Sequence, residues 1–337
     1  MIPDHEALTK QRVAALIPYG FTGRQAEFLA TVMVHGGVCV ARQYRVFAGI
    51  SHGQVVHDFF TKLTSRRWAT AYPCSRRDSQ IFHVHHKTLY TAIGEPDNRN
   101  RRPATIARAI ERLMVLDVIL SKRDILWLGT EREKLAYCVE QRRLGLADLP
   151  SIAFKSARGQ TTRYFPDKRP LGVSTVNGDV TFLYVVTEPR PENLRQFVDH
   201  HRSLLLRLLP WTFVLAIPRS LAESEGAHRA VLIDLCEAPL RPAVVDEFRW
   251  YCQARQALEQ GSTSSKPDAV RFARTCRAFR AERFFTVYRR WCRQGDVALH
   301  QLLSPALHDA HRQGIARIET TVLPHVYAHL DAIVQTA

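Results

Sequence analysis

Hydrophobic residues in the first hundred positions follow two rhythms, one helical and one extended. In RQAEFLATVMVHGG, Ala26, Leu29, Ala30, Val32 and Met33 recur close to the 3.6-residue period, Thr22 sits where an N-cap belongs, and Gly36-Gly37 ends the run. Val38-Cys39-Val40 predicts a short strand, and ARQYRVFAG a two-turn helix closed by Gly49. A further helix is expected through GQVVHDFFTKLTSRR, capped by Ser51, with Val56, Phe59, Phe60 and Leu63 as its buried stripe. Only Gly49, Ile50 and Ser51 separate these last two helices, the spacing of a helix-turn-helix. WATAYPC and QIFHVHH then alternate as strands do, on either side of the polar SRRDS.

After residue 103 the pattern alternates between the two rhythms. DILWLG followed by TEREKLAYCVEQRRLG predicts a strand and then a helix. RPLGVST and DVTFLYVVTE flank Asn177-Gly178, a two-residue hairpin signal. The helix PENLRQFVDHHRSLLLRLL, the strand WTFVLAIP and the helix RSLAESEGAHRAVLIDLC complete an α/β layout. Toward the C-terminus, Arg271, Arg274, Arg277, Arg280 and Arg283 recur every third residue of one predicted helix, a row that winds around the axis. Phe272, Cys276 and Phe279, and then Phe284, Tyr288 and Trp291, give that helix its apolar sides. PALHDAHRQGIARIETTVLPHVYAHLDAIV predicts another amphipathic helix, broken near Pro324. Such helices commonly build dimer interfaces, so a homodimer is expected.

Polar, Pro-closed breaks at Glu95–Pro103, Ser156–Pro170 and Gln260–Pro267 suggest boundaries. The fold class expected is α+β, in three parts. Residues 1–102 read as a winged helix-turn-helix domain, 103–260 as a helical connector with a central α/β domain, and 261–337 as a basic helical region.

Composition narrows the class. With 46% apolar and 23% charged residues the chain has the makings of a core and is not a disordered one. No stretch approaches the roughly 18 uncharged apolar residues of a membrane span. Asp4, Glu6, Lys10 and Arg12 interrupt the first apolar residues, so a signal-peptide core is lacking. A cytoplasmic, nucleoid-associated protein with no membrane partner is expected. Seven cysteines, an odd number with no two separated by only two residues, read as reduced thiols and lack zinc-ribbon spacing.

Charge changes the picture most. Lys and Arg total 47 against 32 Asp and Glu, a net +15 with a pI near 9.9. Residues 1–125 hold 18 basic and ten acidic side chains, and residues 261–337 hold 11 and six, so both ends are basic. A polyanion is the expected partner, and for a helix-turn-helix followed by a basic hairpin that partner is double-stranded DNA. The helix after the turn would enter the major groove. Its outward residues would be Ser51, His52, Gln54, Val55, Asp58, Thr61 and Lys62. Gln54 can pair with adenine and Asp58 can accept from a cytosine amino group. Arg76 and Arg77 at the hairpin tip suit phosphate or a narrow minor groove. Arg66 and Arg67 end the helix, where they serve its dipole or reach DNA, and Arg42 and Arg45 would clamp the backbone.

The phrases HVHHKTLYTAIG, RPATIARA and ERLMVLDVIL, the last at residues 111–120, resemble replication-relaxation proteins. These are winged-helix proteins of plasmids and integrative elements, and the likeness covers residues 20–140. It implies double-stranded DNA binding in the replication, mobilisation or transcriptional regulation of a mobile genetic element, with no catalytic residue and no cofactor.

Two enzymatic readings compete with this one. His83 and His85 lie on one face of a strand, with Cys74 across the hairpin and Tyr90 nearby, a pattern resembling the metal site of rolling-circle endonucleases. Tyr90 is too close in sequence to come from a separate helix, and a third ligand is missing. The α/β block also has the layout of a restriction-endonuclease-like core, in which Asp167, Asp179 and Glu188 would bind metal. The strand from Leu171 to Thr175 carries no acid, and Glu188 is followed by Pro189 and Arg190 with no neighbouring Lys. A degenerate core kept for binding is therefore expected, without metal or catalytic residues.

Overall fold

The chain begins with α1 (Pro3–Leu16) and α2 (Gly23–His35). Thr22 caps α2 as expected: its hydroxyl accepts from the Gln25 amide, and the Gln25 side chain accepts from the Thr22 backbone. Then come β1 (Val38–Val40), α3 (Ala41–Ala48), α4 (Gln54–Ser65), β2 (Ala69–Pro73) and β3 (Gln80–Val84). These strands form an antiparallel sheet in the order β1-β3-β2, with Val38 opposite His83 and Ala69 opposite Val84. The computed structural model that yields these elements describes residues 3–51, 53–74, 79–156, 159–261 and 268–327.

The expectation that Ser51 caps α4 does not hold; the helix starts at Gln54 behind Gly53, whose φ of 150° suits glycine. The α3–α4 turn therefore runs from Gly49 to Gly53. Around it the rings of Phe28, Tyr44, Phe59, Phe60 and Phe82 pack closely, with centroids 4.5 Å apart for Tyr44–Phe59 and 4.1 Å for Phe60–Phe82.

After α5 (Lys87–Ala92) comes α6 (Ile106–Ser121), a helix apolar on both sides. Leu116 and Leu120 join the aromatic core just described, while Ile110, Leu113, Met114 and Val118 cover a second sheet. That sheet uses β4 (Ile125–Leu128), which is followed by the short helix α7 (Glu131–Leu135). Two strands, β5 (Ser151–Ser156) and β6 (Gly159–Tyr164), pair only with each other. The sheet continues through β7 (Leu171–Ser174) and β8 (Val180–Val185); the hairpin falls where the Asn-Gly pair placed it, with Gly178 at φ 76°, but its loop is the four residues 175–178 and not two. Helices α8 (Glu192–His200) and α9 (Arg202–Arg207) precede β9 (Trp211–Pro218), which lies parallel to β8.

The rest is α10 (Glu225–Leu235), α11 (Pro242–Glu259), α12 (Ala269–Ala278), α13 (Glu282–Gln294), α14 (His300–Leu303), α15 (Ala306–Arg312) and β10 (Ala316–Leu323). The five-stranded sheet runs β10-β9-β8-β7-β4. Contacts divide the chain into two compact units. The first holds Met1–Pro189, Trp211–Glu225 and Ile318–Ala337; the second holds Arg190–Pro210 and Gly226–Arg317. Within the second unit, Val245, Phe248, Tyr251, Phe279, Phe284, Tyr288 and Trp291 form a core.

Several expectations need correction. The break expected at 95–103 is a packed segment: the buried Asn100 side chain donates to the carbonyls of Met33 and Val34, and its backbone closes within 2.5 Å of where a Cβ on Gly37 would lie. The break expected at 156–170 begins in the β5–β6 ribbon, and residues 262–267 of the third lie outside the described residues. The single arginine-row helix is two, interrupted at residues 279–281. The last amphipathic helix gives way at Gly314 to β10, whose Ile318, Thr320, Thr321 and Val322 are β-branched and favour a strand. Residues 1–102 and the five-stranded sheet also share one unit, because α6 is buried by both.

Candidate nucleic-acid interface

Helix α4 is amphipathic in the sense the spacing predicts. Val56, Phe59, Phe60 and Leu63 are buried, while Gln54, Val55, His57, Asp58 and Thr61 are exposed. Val55, 58% exposed, is the apolar residue of this face. Gln54 donates to Asp58 across one helical turn at 2.7 Å, so amide and carboxylate are held side by side on this face. His57 belongs to the same face and was missed from sequence, although its spacing from Gln54 and Thr61 carries the signal.

The cations expected around this helix have different fates. Lys62 donates to the Gly20 carbonyl at 2.7 Å and lies over the Phe21 ring. Arg66 donates to the Tyr19 carbonyl at 3.1 Å and covers the Trp68 ring. Both tie the end of α4 to the loop before α2, while their charge stays near the surface. Arg67 is exposed, with a left-handed φ of 54°. Arg45 is half-buried and donates to the exposed Ser51's carbonyl at 3.5 Å.

Arg42 departs from expectation. Its guanidinium is bidentate to Asp117 of α6, at 2.7 and 3.0 Å, and Asp117 also accepts from Gln43 and Tyr327. Arg42 is thus committed to joining α3 to α6, not to a ligand backbone. His52, Arg76 and Arg77 lie outside the described residues.

The histidine strand forms local contacts. His83 is buried and its Nε2 meets the Asn100 carbonyl at 2.9 Å, while His85 Nε2 meets the Thr70 hydroxyl at 3.0 Å. Their rings are 5.7 Å apart, so the shared face is real. Burial lowers both pKa values. Among the described residues no third His, Cys, Asp or Glu completes a metal-sized group with them. Tyr90 is fully buried, donates to the Val84 carbonyl, and has its pKa raised by burial, which leaves it no access to a phosphodiester.

The acids of the α/β block are likewise dispersed. Asp167, in the bend before β7, accepts from the Arg169 amide at 3.1 Å. Asp179 closes the β7–β8 turn, where its carbonyl accepts from Ser174, and Glu188 is exposed beyond β8. The three form no metal-sized group among the described residues. Among the described residues no helix is long and apolar enough to cross a membrane. Comparisons with protein-family models, with curated proteins and with solved structures returned no match to this chain.

Proposed function

We propose that residues 22–86 form a winged helix-turn-helix that binds double-stranded DNA, with α4 in the major groove and the β2–β3 hairpin as the wing. The observation that carries this reading is the outer face of α4. In a helix whose other side is aromatic core, Gln54, Val55, His57, Asp58 and Thr61 stand exposed together. Gln54 and Asp58 are suited to base edges and Val55 to a thymine methyl. The order helix, strand, helix, helix, hairpin and the sheet order β1-β3-β2 support it, as does the net +15. Lys62, Arg66 and Arg67 supply cations beside that face, and Arg76 and Arg77 would extend them along the wing.

The five-stranded sheet supports a restriction-endonuclease-like reading of the α/β part: β4, β7 and β8 run as a meander and β9 lies parallel to β8. With no acid on β7 and no Lys near Glu188, we read this part as a binding scaffold. The process served would be transcriptional regulation, replication or mobilisation of a mobile element, as the replication-relaxation resemblance implies.

The test is duplex selection followed by fluorescence anisotropy with Val55→Glu. A carboxylate on this exposed site leaves the fold intact but meets DNA charge, so affinity for the selected duplex should drop by about tenfold or more, roughly 1.4 kcal/mol. Unchanged affinity with an unchanged melting curve would remove α4 from the groove. Replacing Arg76 and Arg77 with Ala should lower the salt dependence by about two phosphate equivalents.

A further inference from the structure

Within the first unit, the segment around Arg99, the first turns of α6 and the bend before β7 enclose a cleft of about 420 Å³. That volume is in the range of small-ligand sites. Its walls bring together cations that sequence keeps far apart: Arg99, Arg108, Arg112 and Lys168.

Of the five acids that line the cleft, Glu95, Glu111 and Glu131 are engaged by arginines, and Asp167 accepts from the Arg169 amide. Glu111 pairs with Arg108 at 2.6 Å and with Arg169 at 3.3 Å; Glu131 pairs with Arg163, and Glu95 with Arg12 and Arg132. Asp97, which is exposed, also lines the cleft. Arg99, Arg112 and Lys168, with Arg102 close by, have no carboxylate within ion-pair distance among the described residues. Arg112 is half-buried and anchored by one hydrogen bond to the Gly36 carbonyl at 3.0 Å. After burial, the influences that lower the Lys168 pKa are Arg112, Arg108, Arg99 and Arg102, so the five cations feel one another.

The arrangement is held, not incidental. Lys168 has a left-handed φ of 60° and Phe165 one of 50°, conformations that non-glycine residues adopt only where surroundings impose them. The buried Lys134 donates to the Arg169 carbonyl at 2.9 Å and lies over the Phe165 ring, and Phe165 donates to the Pro150 carbonyl. The bend that presents Lys168 is thus pinned from below.

Basic side chains outnumber the acids that line the cleft, and an anion of more than one charge balances that surplus. Guanidinium forks match phosphate oxygens in geometry. We propose that this cleft binds a phosphoryl group through Arg99, Arg112 and Lys168. Two sources share this chemistry, a backbone phosphate of nucleic acid and a free phosphate-bearing ligand of nucleotide size. The proposal does not depend on the DNA reading of α4.

The experiment is isothermal titration calorimetry of the full chain with inorganic pyrophosphate, on the parent, on Arg99→Ala/Lys168→Ala and on Arg277→Ala/Arg280→Ala. The first variant alters two exposed side chains without ion pairs, and the second removes the same charge from the other unit. Parent and second variant should bind alike, and the first variant about tenfold or more weaker. No binding to the parent at millimolar pyrophosphate, equal binding to all three, or equal loss in both variants would overturn the proposal. Anisotropy with a short duplex then separates the sources. Displacement of duplex by pyrophosphate identifies backbone phosphate, and undisturbed duplex binding identifies a free phosphate-bearing ligand.

Discussion

In α12 and α13 arginines meet acids; around the cleft of the first unit, cations meet one another. Arg271 and Arg274 both reach Glu247, at 2.7 and 3.1 Å, Arg283 pairs with Glu237, and Arg290 pairs with Asp199. Among the described residues, Arg99, Arg112 and Lys168 have no such acid within ion-pair distance. Both stretches look alike in composition, each a run of Arg in an otherwise ordinary sequence. The difference teaches that a charge surplus points to a polyanion only where the fold withholds counter-ions. Of the arginine row, Arg271, Arg274 and Arg283 are held in ion pairs within the second unit.

Removing an acid from the paired region should have the largest effect. Asp199→Ala takes the carboxylate from a largely buried Arg290 and should destabilise the second unit by about 3 kcal/mol in a urea melt. If the loss is negligible, the pair is ornamental and the contrast between the regions collapses.

Acid should act next, and on the cleft side. His35 lines the cleft, and burial pulls its pKa from 6.5 down to about 4; Arg12 and Lys134 lower it further while Glu133 opposes them. Between these pH values the unfolded chain takes up a proton that the folded chain refuses. Stability therefore rises with pH through this window and is lost as pH falls from about 6.5 toward 4, by about 2 kcal/mol. His35→Gln should flatten that slope in melts at pH 7 and pH 5.

Smaller still is the effect of taking cations from the cleft. Arg99→Ala/Lys168→Ala should leave stability within about 0.5 kcal/mol of the parent or raise it, since no ion pair is lost. A marked loss would mean these cations hold the fold together as the second unit's do. Glu247→Gln closes the series: its pairs with Arg271 and Arg274 are at the surface, and no measurable change in the melting midpoint is expected.

What the sequence made legible was whatever a single element decides. The inner stripe of α4 follows from a 3.6-residue rhythm, the Thr22 cap from one hydroxyl and one glutamine, and the β7–β8 turn from Asn177-Gly178. The β5–β6 ribbon was hidden because Ile152 and Phe154 are a pattern of only two positions and β6, GQTTRY, adds no apolar alternation to it. Strand β10 was hidden because Leu307 and Ala310 before it keep a helical rhythm that masks the β-branched run. Arg42 looked like a free cation because Asp117, its partner, is on another helix. The cleft was invisible for the same reason: Lys168 joins Arg99 and Arg112 only in the folded chain.

The first unit is interrupted twice by segments of the second, which has a consequence for synthesis. Strands β8 and β9 leave the ribosome well before β10, and the whole of residues 226–317 must be made in between. Until then the growing chain lacks Leu323 and Tyr327, members of the apolar layer shared with α6, and β9 has an unpaired border. A chain released early would expose that border to any neighbouring polypeptide, so premature termination should yield aggregates and not a shortened binder.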